Sequence, residues 1–401
     1  MKLSDFNYNL PKEFIAQKPI YPRDHSRLLI LDRKSKSIKH DYFYHLPKYL
    51  KKGDVLVFNN TKVFPARLIG KRQETGGRME IFLLKKYQNQ KLKEPKNPAR
   101  LASQREAGRQ TNKKLKIKKG EYWEVLIGNK KKRLGERIIF SKNLFCEIIK
   151  QIDQSIWLVR FNKSGSVLEK LIDRLGQVPV PPYIKSRITY HESRIMYHRS
   201  SKLKEDYQTV YAKYRGSVAA PTAGFHFTKE LLNKLKKAGI QLEFITLHVG
   251  FGTFQPVKVN DIKKHKMHVE FAILDKATAR RLNQAKKEGR RIVAIGTTTV
   301  RALETFLQKS QASSTKLQIN SKSQLPKFKI KDQQKWINTF IYPGYKFKFV
   351  DAIITNFHLP KSTLLMLISA FAGRKNILRT YEIAKQKKYR FYSFGDVMMI
   401  L

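Results

Sequence analysis

The sequence predicts an α/β protein interrupted by a small antiparallel β-barrel or sandwich. The first part of the chain contains short apolar runs typical of buried strands, and in the last part such runs alternate with amphipathic helical segments. Between them, residues 67–160 show short strands separated by turns. We therefore expect a main α/β domain formed by residues 1–66 and 161–401, with residues 67–160 inserted as a second domain. The chain has 401 residues, of which 41% are hydrophobic, enough to bury a sizeable core.

The first part of the chain contains two predicted strands, RLLILD and VLVF, and the second of them ends in a polar turn. That turn, NNTK, includes Asn59 and Asn60, and Arg67 follows on the next strand. Amide and guanidinium groups at a strand end suit hydrogen bonding to a ligand. An ordinary Asx-type turn explains the two asparagines equally well, and both interpretations stay open.

The insert is predicted from hairpin patterns such as ARLIGKRQ, ETGG and RMEIFLLKK, followed by further short strands to SIWLVRF. Within it, residues 85–119 carry 13 Lys and Arg against two Glu and show no apolar period. We expect an extended basic loop there. It either follows a phosphate backbone or is a solvated insertion.

The charge of the chain is its strongest compositional feature. The formal net charge is +51, which predicts a polyanionic partner, nucleic acid first. A lysine-rich genome that raises surface charge everywhere is the alternative. The single cysteine, Cys146, excludes a disulfide framework, and no apolar run reaches the ~18 residues that a membrane helix needs. We expect a soluble cytoplasmic protein, monomeric and without membrane contact.

The central stretch of the second half reads VAAPTAGFHF, then a helix that begins after Thr228, then ITLHVGFGTFQP. Glycines let a ligand approach the backbone, and imidazole, hydroxyl and aromatic groups alternate with them. A glycine-kinked strand with structural histidines is the alternative. The candidate site residues here are Thr222, Gly224, His226, His248, Phe251, Gly252, Thr253 and Phe254.

Two further segments are typical of strand-to-helix turns. IGTTTVRA offers Thr297, Thr298, Thr299 and Arg301, and TNFHLPKST offers Asn356 and His358. A helix N-terminus favours an anion such as a carboxylate or a phosphate. A threonine-capped helix without a ligand would show the same residues.

The histidines of this region suit proton transfer better than metal binding. His265 and His268 have no acidic or cysteine partner at ligand spacing, so we expect no metal. The chain has no Gly-x-Ser-x-Gly elbow, no Walker loop and no Gly-x-Gly-x-x-Gly opening a βαβ unit. Those absences leave acyl transfer, nucleotide hydrolysis and dinucleotide redox chemistry without support.

Segments from the beginning to the end of the chain resemble a known family in collinear order. They include FNYNLPKEFIAQKP, DVLVFNNTKVFPARL, VAAPTAGFHF, TLHVGFGTFQPV, AIGTTTVRALE and DAIITNFHLPKSTLLMLISAFAG. The family is that of the S-adenosylmethionine:tRNA ribosyltransferase-isomerases of queuosine biosynthesis. Insertions near residues 91–114, 190–204 and 310–334 look longer than the family's turns and leave these segments intact.

The resemblance implies an enzyme that transfers the ribosyl part of S-adenosylmethionine to 7-aminomethyl-7-deazaguanine in a tRNA anticodon arm. It implies isomerisation to epoxyqueuosine, release of adenine and methionine, a barrel-like α/β main domain, and no metal or permanently bound cofactor. We expect His226 and His248 to act as base and acid, and His268 and His358 are the next candidates for these roles. Phe251 and Phe254 are expected beside the sulfonium, whose charge Glu270, Glu304 or Asp351 would compensate, and Arg301 is expected on the methionine carboxylate.

Two other classes of protein fit part of the sequence. A non-catalytic RNA-binding protein explains the charge but not the histidine-, threonine- and glycine-rich turns. A methyltransferase would use the same donor, but the chain has no glycine-rich βαβ opening.

Overall fold

The computed structural model describes residues 1–87, 120–128, 132–153, 155–181, 183–184, 202–250, 252, 257–311 and 331–401, with the backbone alone for 307–311. The chain divides into two compact units, residues 65–177 and the remainder. The predicted boundaries of the insert, 67 and 160, both fall inside the smaller unit, which extends through the helix Gly165–Leu175. Most of the predicted basic loop and of the three insertions lies outside the described residues.

The main unit contains a nine-stranded mixed sheet with the strand order β15-β13-β12-β3-β14-β16-β17-β1-β2. Strands β12, β3, β14 and β16 run parallel, and the strands on either side of them pair antiparallel, except that β17 and β1 are parallel to each other. The bounds are β1 Arg27–Leu31, β2 Ile38–Tyr42, β3 Val55–Asn59, β12 Gln241–His248, β13 Glu270–Leu274, β14 Ile292–Ile295, β15 Gln333–Ile337, β16 Ala352–Asn356 and β17 Val397–Ile400. A separate parallel pair joins β4 Thr61–Val63 to β11 Tyr214–Ser217.

Strands β3, β14 and β16 are buried along their whole length and mostly apolar, because both faces of this part of the sheet are covered. One face packs against α3 Lys276–Lys287, α4 Thr297–Gln311, α5 Thr363–Ala372 and α6 Arg374–Gln386. The other packs against α2 Lys229–Lys237 and the segment around Phe43. Side-chain caps begin α2, α3 and α5, from Thr228, Asp275 and Ser362.

The smaller unit is a closed barrel in which every pair of neighbouring strands is antiparallel, in the order β10-β7-β6-β5-β8-β9. Its strands are β5 Arg67–Arg72, β6 Arg78–Lys86, β7 Glu121–Ile127, β8 Arg137–Ser141, β9 Leu144–Gln151 and β10 Ile156–Phe161, and α1 is Gly165–Leu175. The inward residues, such as Leu68, Ile81 and Val125, are fully buried. The predicted fold class, a mixed α/β main domain with a small antiparallel barrel, is confirmed.

The sheet topology brings distant segments to one edge of the main unit. The carboxyl ends of the four parallel strands lie at this edge, where ligands of α/β proteins usually bind. Strand β17 runs opposite to β16, with Asn356 paired to Val397, and Leu28 is paired to the same residue. Ser26, which precedes β1, therefore reaches the edge as well.

Candidate active site

The turn between β14 and α4 is held by its own hydrogen bonds. Gly296 has a φ of +86°, which favours glycine, and its carbonyl accepts from the amides of Thr299 and Val300. The Thr299 hydroxyl donates to the Ile295 carbonyl over 2.7 Å. These bonds fix the first turn of α4, on which Thr298 and Arg301 lie.

A cavity of about 190 Å³ opens beside this turn, and we call it the Arg301 cavity. Its wall includes polar and charged groups from four parts of the main unit: Gly252, Lys258, His265, His268, Glu270, Thr298, Arg301 and Thr363. The backbone of Gly252 packs directly on an imidazole, since a Cβ there would lie 2.1 Å from Cγ of His268. Glycine at this position therefore makes room for the His268 ring.

Arg301 and Glu270 form a buried ion pair in this wall. Their Nη1 and Oε2 atoms are 2.7 Å apart, and the two residues are 4% and 3% exposed. Arg301 Nε donates to the Thr339 carbonyl, and Glu270 Oε1 accepts from the Gly250 amide. A buried pair of this kind is kept in place by such additional bonds.

Two buried polar atoms in the same wall have no hydrogen-bond partner among the described residues. They are Nη2 of Arg301 and Oγ1 of Thr298. Buried polar atoms of folded proteins are nearly always paired, and each exception calls for an explanation. A guanidinium N–H and a hydroxyl that line one cavity are suited to an oxygen-bearing anion.

His226 lies elsewhere on the edge and has both ring nitrogens engaged. The Asn356 side-chain amide donates to Nε2 over 3.0 Å, so Nδ1 carries the proton and donates to Ser26 Oγ over 2.7 Å. Thr222 fixes the orientation of Asn356 by donating to its Oδ1. Burial, followed by the charges of Arg390 and Arg23, lowers the pKa of His226 to about 3. The ring is neutral at physiological pH.

His358 is also buried and neutral. Its Nε2 is 2.9 Å from Thr355 Oγ1, and its backbone amide donates to the hydroxyl of Tyr381. Burial lowers the pKa of His358 to about 3. The residue holds the segment after β16 in place.

His248 ends β12 and contacts the small parallel sheet. Its Nδ1 is 2.8 Å from Thr61 Oγ1, and the backbone of Gly216 packs on the ring at a distance that a Cβ would not allow. Burial lowers the pKa of His248. Of the four predicted catalytic histidines, His268 is the one that the described chain places in the wall of the Arg301 cavity.

Some of the predicted binding residues likewise make contacts within the protein instead of lining the Arg301 cavity. Asn59 binds the backbone amide and carbonyl of Leu247, and Asn60 accepts from the Thr246 hydroxyl, so the pair joins β3 to β12. Gly224 leaves room for the Tyr211 hydroxyl, which would lie 1.9 Å from a Cβ.

Five other predicted residues are placed outside the cavity or are not described. Arg67 belongs to the barrel unit, where it pairs with Glu80 over 2.8 Å. Thr297 is buried at the start of α4. Phe251, Thr253 and Phe254 lie outside the described residues.

Of the three acidic residues proposed to face the sulfonium, Glu270 is the one in the cavity wall. Glu304 accepts from the Tyr345 hydroxyl and the backbone amides of residues 348–350. Asp351 binds Lys286 and the Ile292 amide.

Sequence reasoning missed Ser26, for which no motif gave a signal, and it did not include His265 among the candidate catalytic residues. His265 lines the cavity beside His268; burial lowers the pKa of His265, and the charge of His268 lowers it further. Within the described residues, no group of three His, Cys, Asp or Glu side chains is placed to hold a metal ion. The same residues include no helix long and apolar enough to cross a bilayer.

Comparison with known proteins finds a family that matches nearly the whole chain. A family model described as "Queuosine biosynthesis protein" matches residues 3–400. The chain is 45% identical over 403 residues to the S-adenosylmethionine:tRNA ribosyltransferase-isomerase of Thermoanaerobacter sp. (strain X514), with both chains covered in full. The enzyme of the same name from Caldanaerobacter subterraneus subsp. tengcongensis is 46% identical over 403 residues, again with full coverage of both chains.

Among solved structures, the chain is similar to an S-adenosylmethionine tRNA ribosyltransferase from Thermotoga maritima. The two are 31% identical with a TM-score of 0.49, and the match covers 99% of this chain and 100% of the other.

Proposed function

We propose that the Arg301 cavity of this chain, which belongs to the queuosine biosynthesis protein family, binds the methionine end of S-adenosylmethionine. The protein is an S-adenosylmethionine:tRNA ribosyltransferase-isomerase, with S-adenosylmethionine as co-substrate and tRNA as acceptor. The observation that carries the proposal is the presence, in one wall, of two buried donors that have no partner among the described residues, Arg301 Nη2 and Thr298 Oγ1.

The α-carboxylate of the methionine part satisfies both donors. Arg301 uses Nη1 for Glu270 and keeps Nη2 for the carboxylate. The position at the first turn of α4 adds the favourable end of the helix dipole. A charge-assisted hydrogen bond in a buried wall is worth about 1.5–3 kcal/mol.

The α-ammonium group is matched by Glu270. That carboxylate is the acidic group in the wall, and its Oε1 is bound to the Gly250 amide over a long 3.3 Å. Carboxylate and ammonium of one amino acid would thus face Arg301 and Glu270, which are themselves paired. The cavity, about 190 Å³, is smaller than the ~300–1,000 Å³ of sites that enclose a drug-sized ligand, so it takes the amino-acid end and leaves the nucleoside outside.

We assign the general base to His268. The resemblance to the family implies that the reaction begins with removal of a proton from the 5′ carbon beside the sulfonium. His268 lies in the cavity wall and its ring packs on the backbone of Gly252. In His226, by contrast, both ring nitrogens are hydrogen-bonded, to Ser26 and Asn356. A base must have a nitrogen within reach of the proton that it takes. His226 then has a positioning role, because it orients the Asn356 amide.

The acceptor is the precursor-modified base in a tRNA anticodon arm. The net charge of +51 supports docking through phosphate contacts, and the target base has to leave its stack to reach the ribosyl donor. We propose that 7-aminomethyl-7-deazaguanine is that base, and that the enzyme works as a monomer in the cytoplasm.

The test is an incubation with S-adenosylmethionine and tRNA that carries the deazaguanine precursor. A ribosyltransferase-isomerase releases adenine and methionine in equal amounts. A methyltransferase instead releases S-adenosylhomocysteine, and an RNA-binding protein without activity releases neither. Release of S-adenosylhomocysteine, or no release, would contradict the proposed function.

A further inference from the structure

Strands β12, β13 and β15 carry an aromatic row on the face of the sheet that is turned away from the core. Leu247, Ala272 and Ile337 pack into the main hydrophobic core. Because side chains alternate along a strand, their neighbours His248, Phe271 and Trp336 point to the opposite face.

The three side chains are cross-strand neighbours. His248 pairs with Phe271, and Phe271 pairs with Trp336 in the backbone register. The ring centroids of His248 and Phe271 are 6.3 Å apart at an interplanar angle of 16°, and those of Phe271 and Trp336 are 5.0 Å apart. Trp336 is 57% exposed. A large exposed indole at the end of an aromatic row is typical of a contact surface.

A cationic side chain flanks the inner end of the row. The small sheet of β4 and β11 adjoins His248 through Thr61 and Gly216. In that sheet Tyr214 is paired in register with Thr61, so its ring lies on the same face as His248. Lys213 lies over the ring of Tyr214, which is 48% exposed.

We infer that the His248–Phe271–Trp336 row is a stacking platform for unpaired bases of the tRNA. This inference rests on the proposed function, which supplies the RNA. Proteins that hold single-stranded RNA combine aromatic faces for the bases with cations along the backbone. Lys213 beside the row and the net charge of +51 favour RNA over an apolar protein segment as the occupant.

Tryptophan fluorescence tests the platform directly. The chain has three tryptophans, and two of them, Trp123 and Trp157, belong to the barrel unit. In a full-length Trp123→Phe/Trp157→Phe variant the emission comes from Trp336. We expect titration with a tRNA anticodon stem–loop to quench it, because stacked bases quench an indole.

Binding of the same stem–loop gives the size of the effect. We expect Trp336→Ala to weaken affinity by about 5- to 150-fold, the range for one lost base–aromatic stack, and Trp336→Phe to recover most of the loss. The KM for tRNA in the adenine assay should rise by the same factor. Tyr42→Ala is the matched control: Tyr42 is 47% exposed on β2, at the opposite edge of the sheet, and its loss should leave both values unchanged.

Lys213→Gln tests the cationic flank. Removal of one phosphate contact should reduce the slope of log affinity against log salt by about 0.7, whereas Trp336→Ala should leave the slope unchanged. An unchanged slope in Lys213→Gln would remove the flank from the platform.

The outcomes separate failure of the platform from failure of the proposed function. S-adenosylmethionine affinity, measured by calorimetry without RNA, shows that each variant is folded. If the wild type releases adenine but Trp336→Ala binds RNA normally and Trp336 is not quenched, the platform is overturned and a protein partner becomes the occupant to test. If the wild type releases no adenine, the proposed function fails, whatever the titration gives.

Discussion

Two polar clusters at the edge of the main sheet differ in how completely their hydrogen bonds are made. In the first, Ser26, His226, Asn356 and Thr222 satisfy one another. In the second, the Arg301–Glu270 pair leaves Arg301 Nη2 without a partner within the described chain, and Thr298 Oγ1 beside it is in the same state. A closed network of buried polar groups makes a rigid support, whereas unpaired donors at a cavity mark the place of a ligand.

Histidine content alone therefore does not locate the chemistry. His226 and His358 are the most deeply buried of the candidate histidines, and their lowered pKa comes mainly from desolvation. A perturbed pKa is a sign of function when it occurs in a cleft, but structural networks produce it too. Variants that act on one cluster and not on the other put this division to the test.

The largest difference is expected between two histidine substitutions. If His268 is the base, His268→Gln should lower kcat by about 10²- to 10⁴-fold, the usual contribution of a positioned base. His226→Gln should lower kcat far less, because that imidazole acts through Asn356. Single-turnover release of adenine measures both, and calorimetry with S-adenosylmethionine shows that each variant still binds.

The reverse ranking, with His226→Gln inactive and His268→Gln active, would contradict the division. If His226→Ala and His248→Ala both keep full turnover as folded proteins, neither serves as base or acid.

Arg301→Lys should have the next largest effect, on binding. Lysine keeps a positive charge near Glu270 but loses the second nitrogen of the fork that faces the cavity. We expect the KM for S-adenosylmethionine to rise by about 10- to 150-fold, the equivalent of one charge-assisted hydrogen bond, with a smaller loss of stability.

Arg281→Lys serves as the matched control. Arg281 pairs with Glu243 at a distance of 2.8 Å, and neither residue lines the Arg301 cavity. An unchanged KM in Arg301→Lys would remove the methionine carboxylate from the Arg301 cavity.

The sequence predicted those parts of the site that depend on neighbouring residues. The Gly-Thr-Thr-Thr-Val-Arg segment indicated a strand-to-helix turn with an anion-binding arginine, and the structure has that turn at Gly296 with Arg301 in the cavity wall. Strand alternation likewise predicted the antiparallel barrel. Both follow from local backbone preferences and side-chain period, which a single sequence contains.

Contacts between distant segments were beyond sequence reasoning. His226 is 200 residues from Ser26 and 130 from Asn356 along the chain, and they meet because β17 separates β1 from β16 in the sheet. The Arg301–Glu270 pair likewise depends on β13 lying beside β12. No pattern in the sequence sets this strand order. The sequence therefore does not distinguish the histidines of the closed network from those of the cavity wall.

The pH dependence of stability gives a smaller, graded test of the closed network. The pKa of His226 is about 3 in the folded protein, below the value of about 6.5 for a free imidazole. Between these values the unfolded chain binds a proton that the folded chain does not, so stability falls as the pH falls from 6.5 towards 3. One such group contributes a slope of about 1.4 kcal/mol per pH unit.

His226→Gln should remove that slope while lowering stability at pH 7 by about 1–3 kcal/mol, since Ser26 and Asn356 lose a partner. Urea unfolding at several pH values between 4 and 7 measures both quantities. His25→Gln, at an exposed histidine, is measured alongside as the control. The same slope in wild type and His226→Gln would mean that the folded chain binds the proton at His226 as readily as the unfolded chain does.

The smallest and most local test uses two adjacent threonines. Thr299 Oγ1 donates to the Ile295 carbonyl, whereas Thr298 Oγ1 has no partner among the described residues and lines the cavity. Thr299→Val should therefore destabilise the fold by about 0.5–1.5 kcal/mol with little change in KM. Thr298→Val should do the opposite, raising the KM for S-adenosylmethionine by about 2- to 13-fold while stability holds or improves, because a buried hydroxyl without a partner is lost. The two substitutions remove the same atom one residue apart, so differences in volume and helix propensity cancel. Equal effects of both on KM would mean that the carboxylate does not contact this turn through Thr298, and only the arginine would be left to bind it.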